Sequence, residues 1–151
     1  IESGYNPEII LAGRKMNDSM GSYVATETVK MMINNGATIK GANALVLGIT
    51  FKENCPDIRN SRVIDIIREL QSYHVNVDVH DPWASKAEVK HEYGLDLKTT
   101  LSELKPEYDA IILAVSHNEF LNLSLDELKA EGCVVFDVKS LLPPETVDAR
   151  L

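Results

Sequence analysis

After Gly41 the sequence alternates short, strand-like apolar runs with stretches of helical periodicity. The strand candidates are residues 44–49, 75–79, 110–115 and 133–138, with a shorter one at 95–97. Three of the four main runs are almost continuously apolar, which is typical of strands buried on both faces. Residues 75–79 alternate valine with polar side chains, which indicates a strand with one less covered face. Because helical stretches separate the runs, the sequence predicts an α/β fold with a doubly wound, mainly parallel sheet sandwiched by helices.

Three stretches between these runs predict helices, at residues 61–73, 85–93 and 125–130. The first carries its apolar side chains on one broad face: Val63, Ile64, Ile66, Ile67 and Leu70. Asn60 or Ser61 is placed to cap it, because a short polar side chain there can accept a backbone hydrogen bond. We therefore expect a Rossmann-like arrangement, in which ligands bind at the carboxyl ends of the strands.

Residues 1–36 predict one long helix that precedes the α/β domain, which we place at residues 37–151. Asn6 suits the N-cap, and Gly36 suits the left-handed position that ends a helix. Gly21 interrupts the helical pattern. A helix of this length spans about 40 Å. It either connects to a neighbouring domain or packs along its own domain, and both interpretations stay open.

The composition limits the class of function. The formal net charge of −8 argues against nucleic acid and anionic membrane surfaces as partners. No apolar stretch reaches the length of a membrane span, and no signal-peptide pattern opens the chain. Two cysteines, Cys55 and Cys133, do not form a disulfide framework or a thiolate zinc site, so a reducing cytoplasm is expected. Since the sequence begins at Ile1, we expect an excised domain of a longer protein.

The loop after the first strand, residues 48–61, is the first candidate site. It is not a glycine-rich dinucleotide turn, because Gly48 stands alone where that motif needs three glycines. It offers the aromatic ring of Phe51 and the cations Lys52 and Arg59, and it leads into a helix N-terminus. Such groups suit a phosphate ligand. The alternative is that the loop's two cations and two carboxylates only neutralise one another on the surface.

This loop carries the pattern Gly-x-x-Phe-Lys-x-x-x-x-Asp-x-Arg-x-Ser. The pattern is formed by Gly48, Phe51, Lys52, Asp57, Arg59 and Ser61. It resembles the C-terminal-domain signature of the UDP-glucose/GDP-mannose dehydrogenase family. The fuller string at residues 51–57 is similar to the branch that oxidises UDP-N-acetylglucosamine or UDP-N-acetylgalactosamine at C6 for Vi-antigen, O-antigen and capsule synthesis. Collinear similarity extends over the chain at residues 6–9, 14–18, 81–82, 114–120 and 137–139.

The resemblance implies that the chain is the C-terminal UDP-sugar-binding domain of an NAD-dependent UDP-sugar 6-dehydrogenase. The family reaction transfers two hydrides in succession to NAD⁺ through a cysteine-linked intermediate. The family's NAD-binding glycines and nucleophilic cysteine lie upstream of the long helix, so neither is among these residues. The resemblance therefore implies UDP-N-acetylhexosamine and NAD as partners of a full-length homo-oligomer. It also implies no catalytic residue in this chain, which alone should be inactive. The four histidines lack a metal-ligand spacing, so no metal site is expected.

Site roles follow from the resemblance residue by residue. Phe51 and Lys52 match positions that contact the UDP-sugar. Lys139 falls near a position where a basic residue, often arginine, meets the substrate. Arg59 matches a position that reaches across the domain cleft to the NAD pyrophosphate. These four residues are the predicted binding set.

Five further residues receive mainly structural interpretations. Ser61 is predicted to cap a helix, and Cys55 and Cys133 to be small, partly or fully buried residues. Asp81 follows the second strand and is predicted to form a turn, with a ribose-binding acid as the alternative. His117 is predicted to be a hydrogen-bonded residue on the rim of the sheet, with a ligand contact as the alternative.

Two other functions compete with the dehydrogenase. One is a stand-alone module that binds a nucleotide sugar without chemistry. The other is a Rossmann domain that binds NAD by itself, against which the missing glycine pattern weighs.

Overall fold

A computed structural model of the protein describes residues 20–151. The helices are α1 (Met20–Asn34), α2 (Val63–Ser72) and α3 (Lys86–Tyr93). The strands are β1 (Asn43–Leu47), β2 (Asn76–His80), β3 (Leu97–Lys98), β4 (Tyr108–Leu113), β5 (Lys129–Asp137) and β6 (Ala149–Arg150). Short 3₁₀ helices lie at Leu101–Glu103, Asn118–Asn122, Leu125–Glu127 and Pro144–Thr146.

The strands of the described segment form one six-stranded sheet in the order β3-β2-β1-β4-β5-β6. Every neighbouring pair is parallel. The predicted α/β class and doubly wound parallel sheet are therefore confirmed. The strand order reverses between β1 and β4, which pair in register from Ala44 with Ala110 to Leu47 with Leu113. Ligands of such sheets bind outside the carboxyl ends of the strands at this reversal.

Burial on both faces explains the continuous apolar runs. In β1, Val46 packs on the face that α1 and α2 cover, whereas Leu47 packs on the opposite face. Leu104 and Phe120, which lie at or within 3₁₀ helices, pack in the cluster on that second face. In the part of the chain described, α-helices thus cover one face, and short 3₁₀ segments help to cover the other.

The helix α1 belongs to the core of the domain. Residues 1–19 of the predicted long helix lie outside the described residues, and the chain is helical from Met20 to Asn34. Val24 and Met32 are fully buried against the sheet cluster. This segment therefore packs along its own domain, which was one of the two open interpretations. The boundary between residues 36 and 37 stays a prediction.

The glycine that interrupts the helical pattern lies at a contact between two helices. A Cβ atom on Gly21 would lie 2.5 Å from the Cβ of Asp65 in α2. No side chain fits at that distance, so Gly21 permits the close approach of α1 to α2. Gly36 has a φ of +86°, which is the left-handed conformation predicted for the end of the helix.

One predicted helix is wrong, and one strand was not predicted. The helix predicted at residues 125–130 is wrong, because Leu125–Glu127 forms a single 3₁₀ turn and β5 begins at Lys129. So short a stretch can close few intrahelical hydrogen bonds, and pairing with β4 outweighs them. The strand β6 was not predicted, because a two-residue strand carries no readable periodicity.

Gly48 lets the ends of β1 and β4 approach each other. Its φ is +97°, and a Cβ atom there would lie 2.5 Å from the Cβ of Val115. Its N–H donates to the carbonyl oxygen of His80 over 2.8 Å, which ties β1 to β2 at the same point. The glycine in the loop pattern is therefore explained by backbone geometry at the strand reversal.

We expect Gly48→Ala to lower the free energy of unfolding more than Gly94→Ala does. Both glycines have positive φ values, 97° and 70°, so both alanines introduce backbone strain of roughly 1–3 kcal/mol. Only at Gly48 does the new Cβ collide with a neighbour, which adds roughly 1–3 kcal/mol. Urea denaturation of the two variants side by side measures the difference. Equal losses would contradict the close-approach explanation.

Candidate functional site

A cleft of about 440 Å³ opens at the carboxyl ends of β1, β4 and β5. Its wall includes Phe51 from the loop after β1, Val115 after β4 and Lys139 after β5. Asn60 and Arg62 line it from the start of α2. The cleft therefore lies at the strand reversal, where the topology places ligands.

The loop after β1 is closed by its own hydrogen bonds. The Phe51 N–H donates to the carbonyl oxygen of Asp57 over 2.7 Å, and the Thr50 hydroxyl donates to the carbonyl oxygen of Lys52 over 2.9 Å. Asn54 lies between them in the left-handed region, with a φ of 53°. These contacts leave the Phe51 ring 57% exposed beside the cleft. The loop thus presents an aromatic face that a ligand can cover.

A buried carboxylate lies beneath this loop. Asp81, which follows β2, is fully buried. Its Oδ2 accepts hydrogen bonds from the N–H groups of Ile49 at 2.8 Å and Thr50 at 3.3 Å. Its Oδ1 accepts from the Trp83 N–H at 2.7 Å, which is the pattern of the predicted turn. The sequence analysis missed that the same carboxylate also holds the start of the loop.

His117, which follows β4, completes the buried network. Its Nδ1 accepts the N–H of Asn54 over 2.9 Å, so the ring proton resides on Nε2. Nε2 lies 3.0 Å from Asp81 Oδ2 and 3.1 Å from Thr50 Oγ1. The side chain is fully buried. His117 is therefore hydrogen-bonded, as predicted, but it lies under the rim rather than on it.

The aromatic surroundings keep the His117 ring in place. The Trp83 ring stacks on it with centroids 6.0 Å apart and an interplanar angle of 24°. The Phe120 ring lies at a tilt, 5.4 Å away. Trp83 is in turn fixed by a hydrogen bond from its Nε1 to Glu119, 2.9 Å long.

The protonation of Asp81 follows from two opposed effects. Burial alone would raise its pKa, but the hydrogen bonds from His117 and from the Ile49 N–H outweigh burial, so that the pKa falls below the usual 3.8. Asp81 is therefore an ionised carboxylate at neutral pH, held by four N–H donors.

Arg59 does not line the same cleft as Phe51 and Lys139. Its guanidinium forms a bidentate pair with Asp57, with Nε–Oδ1 and Nη2–Oδ2 distances of 3.0 and 3.2 Å. The hydrogen-bonded pairing lowers the pKa of Asp57 and raises that of Arg59. Arg59 lines a second depression of about 470 Å³ with Glu88 and other residues of α3. The alternative that these loop charges neutralise each other is thus realised for this pair.

Of the other two predicted cations, Lys139 is among the residues that line the main cleft and Lys52 is not. Lys52 is exposed at the tip of the loop. Lys139 lines the main cleft, and its N–H donates over 3.1 Å to the carboxylate of Asp137, which is fully buried. The sequence analysis missed Arg62, which also lines this cleft. Its position directly after Ser61, where the loop enters the helix, was the available signal.

The remaining predicted residues have structural surroundings. The predicted cap of α2 by Asn60 or Ser61 is wrong, because the helix begins at Val63 and its N-cap is Arg62, without a side-chain cap hydrogen bond. The Ser61 hydroxyl still accepts the N–H of Val63 over 3.2 Å, just before the helix. Cys55 and Cys133 are both free thiols, and burial raises the pKa of Cys133 to about 12. A thiol with that pKa is a poor nucleophile at neutral pH.

Residues 20–151 contain neither a metal-ligating cluster nor a membrane-spanning helix. No cluster of three or more histidine, cysteine, aspartate or glutamate side chains there could hold a metal ion. Among the helices of the same segment, none combines the length and apolarity that a membrane span requires.

Comparison with known proteins places this geometry in a family. A sequence model described as the UDP-glucose/GDP-mannose dehydrogenase family, UDP binding domain, matches residues 45–144. The chain belongs to this family. The matched segment contains the loop after β1, Asp81, His117 and Lys139. The resemblance read from the loop pattern is therefore confirmed.

Curated relatives agree on the branch. The UDP-N-acetyl-D-glucosamine 6-dehydrogenases of Salmonella typhi and Pseudomonas aeruginosa are each 48% identical to the chain over 98% of its length. Protein CapL of Staphylococcus aureus is 45% identical over 93% of the chain. The chain spans 35%, 35% and 33% of these three proteins, about one third of each.

Solved structures agree on the fold. An NDP-N-acetyl-D-galactosaminuronic acid dehydrogenase from Methanosarcina mazei Go1 superposes with a TM-score of 0.79 at 24% identity, over 96% of this chain and 30% of that one. The UDP-N-acetyl-mannosamine dehydrogenase Cap5O from Staphylococcus aureus superposes with a TM-score of 0.73 at 27% identity, over 99% of this chain and 34% of its own.

We expect Asp81→Asn to lower the free energy of unfolding by roughly 2–3 kcal/mol at neutral pH, because several N–H donors lose a charged acceptor. The folded-state pKa of Asp81 lies below its usual 3.8, so the stabilisation is present above that pH and is lost as the pH falls through the folded value. We therefore expect the difference in free energy of unfolding between variant and wild type to be smaller at about pH 3 than at about pH 7, as measured by urea denaturation.

The matched control is Asp126→Asn, which alters a carboxylate whose side chain is 92% exposed. This control should change stability little at either pH. If Asp81→Asn lowered the free energy of unfolding by the same amount at both pH values, the charge of Asp81 would contribute nothing to stability.

Proposed function

We propose that this chain is the C-terminal UDP-sugar-binding part of an NAD-dependent dehydrogenase that oxidises C6 of a UDP-N-acetylhexosamine to the uronate for surface-polysaccharide synthesis. One observation carries the proposal: the loop bearing Phe51 and Lys52 sits at the strand reversal beside an open cleft of about 440 Å³. The two relatives at 48% identity, named UDP-N-acetyl-D-glucosamine 6-dehydrogenases, support the choice of substrate class.

The proposed task of the domain is to bind and orient the nucleotide sugar. Phe51 offers an apolar ring face, and Lys52 and Lys139 offer ammonium groups to the sugar diphosphate. Arg62 lies on the same wall of the cleft and can share the phosphate charge. In a protein of net charge −8, such local cations are needed to bind a dianionic ligand. Holding the sugar in one orientation places its C6 for reaction.

The residues of this chain do not suit the usual dinucleotide mode of NAD binding. In that mode, free backbone N–H groups after β1 face the pyrophosphate. Here the N–H groups of Ile49 and Thr50 already donate to Asp81, and Gly48 is the one glycine in the turn. We therefore propose that the main NAD site and the nucleophilic cysteine lie outside these residues, and that this chain alone has no activity.

Arg59 is proposed to contact NAD from the edge of the domain. Its side chain is 79% exposed, and its pairing with Asp57 is at the surface, where an ion pair contributes little. A phosphate that approaches from a neighbouring domain can therefore compete for the guanidinium.

The two alternative functions, a nucleotide-sugar sensor and an independent NAD-binding domain, predict different ligand binding. A sensor of nucleotide sugars would bind the UDP-sugar without forming NADH. An independent NAD-binding domain would bind NAD without any other part of the protein, which the occupied N–H groups of Ile49 and Thr50 disfavour. The two free cysteines are consistent with a proposed site of action in the cytoplasm, and a homo-oligomer is proposed for the full-length enzyme.

We expect Lys52→Ala and Arg59→Ala to affect different ligands of the full-length enzyme. Loss of one charged hydrogen-bond partner corresponds to roughly 1.5–3 kcal/mol, about tenfold or more. Lys52→Ala should raise KM for UDP-N-acetylglucosamine by that factor, and Arg59→Ala should raise mainly KM for NAD. Steady-state formation of NADH with UDP-N-acetylglucosamine and UDP-N-acetylgalactosamine measures both constants.

Lys40→Ala is the matched control, since Lys40 is an exposed lysine that precedes β1 and so lies at the opposite edge of the sheet. It should leave both KM values unchanged. Wild-type constants for both Lys52→Ala and Arg59→Ala would refute the assignment of this loop, and wild-type protein that binds UDP-sugar without making NADH would favour the sensor.

A further inference from the structure

The loop that presents Phe51 and Lys52 has an exposed outer surface but a buried inner anchor. Residues 51–54 are all exposed. Beneath them, the N–H of Asn54 donates over 2.9 Å to Nδ1 of His117, whose side chain has no exposed surface. The tip of the loop is thus tied by its backbone to the end of β4.

The His117 ring is itself held by several contacts. His117 Nε2 contacts Asp81 at 3.0 Å and Thr50 at 3.1 Å, while Trp83 stacks on the ring and Phe120 abuts it. A ring with both nitrogens bonded and two aromatic rings packed against it has one orientation available. It therefore fixes where its Nδ1 acceptor points.

Stability alone does not explain a polar cluster in this position. Asp81 keeps three backbone N–H donors, from Ile49, Thr50 and Trp83, without His117. Apolar side chains of similar volume often replace buried polar groups with no loss of stability. What an apolar residue cannot supply is a directed acceptor for the loop's backbone.

Resting on the proposed function, we propose that His117 is a positioning residue, which holds the loop after β1 in the conformation that presents Phe51 and Lys52 to the UDP-sugar. Asp81 and Trp83 set the orientation of its ring, and the N–H of Asn54 in the loop donates to it. The residue acts through the loop and does not touch the ligand, because its side chain is fully covered. Its loss should therefore weaken sugar binding more than it slows the chemical step.

Two substitutions separate the two ring nitrogens. In His117→Asn, the side-chain oxygen takes the position of Nδ1 and can still accept the Asn54 N–H, but the contact with Asp81 is lost. In His117→Gln, the amide can reach Asp81, but the acceptor for Asn54 is lost. Both variants remove the imidazole that packs against Trp83 and Phe120, so a general loss of packing is common to the two.

The experiment is steady-state kinetics of the full-length enzyme with UDP-N-acetylglucosamine and NAD, together with the melting temperature of each variant. We expect His117→Gln to raise KM for the UDP-sugar roughly five- to tenfold, the effect of one lost hydrogen bond, with kcat and KM for NAD within about threefold. His117→Asn should raise the same KM by less than about threefold. His74→Asn, at an exposed histidine with a φ of 64° at the opposite edge of the sheet, is the control and should match wild type.

A purely structural role predicts a different pattern. It would lower the melting temperature and kcat of both variants and leave KM for the UDP-sugar unchanged. The positioning role would be overturned if His117→Gln and His117→Asn changed KM for the UDP-sugar equally. It would also be overturned if neither changed this KM more than His74→Asn does. A wild-type enzyme that forms no NADH from any UDP-N-acetylhexosamine would instead overturn the proposed function on which this role rests.

A second variant covers the case in which His117→Gln does not fold. Thr50→Val keeps the volume of a nearly buried side chain and removes the hydroxyl that contacts His117 and holds the carbonyl of Lys52. It should also raise KM for the UDP-sugar with little change of kcat. An unchanged KM in this variant would count equally against the positioning role.

Discussion

The carboxylate of Asp81 is the interaction on which the ligand edge of this domain depends. It is fully buried at the end of β2 and accepts hydrogen bonds from the backbone after β1, from the turn after β2 and from His117 after β4. A buried charge is stable only when such donors surround it. The donors in turn have no freedom to move without exposing that charge, so the ends of three strands are held together at the point where the strand order reverses.

A second buried aspartate accepts backbone N–H groups at the end of β5. Asp137 is fully buried and accepts the N–H groups of Lys139 and Leu142, at 3.1 and 2.7 Å. Two buried aspartates therefore shape two of the loops that face the cleft. In both cases the carboxylate accepts backbone N–H groups of the residues that follow a strand. Lys139 is thus held on a loop of defined shape, and Arg62, the other cation that lines the cleft, is the N-cap residue of α2.

Some parts of the structure were predicted correctly from the sequence pattern, and others were not. The apolar runs predicted the strands because burial on both faces leaves a local signature. Gly48 was identified from the sequence as the single glycine of the loop pattern. The short helix predicted at residues 125–130 was wrong because a strand pairing made far along the chain decided that segment. Arg59 and Lys139, which belong to one predicted binding set, line different depressions, and Arg59 pairs with Asp57 two residues away.

The sequence by itself determined the fold class and the family, because periodicity and a six-position pattern are properties of neighbouring residues. Only the tertiary structure decided that Thr50, Asp81 and His117 meet in one buried network, and that Arg62 lines the cleft beside Lys139. The physical reason is that the residues of the network lie more than thirty positions apart along the chain. They come together through the order in which the parallel strands pair, which no local stretch of sequence encodes.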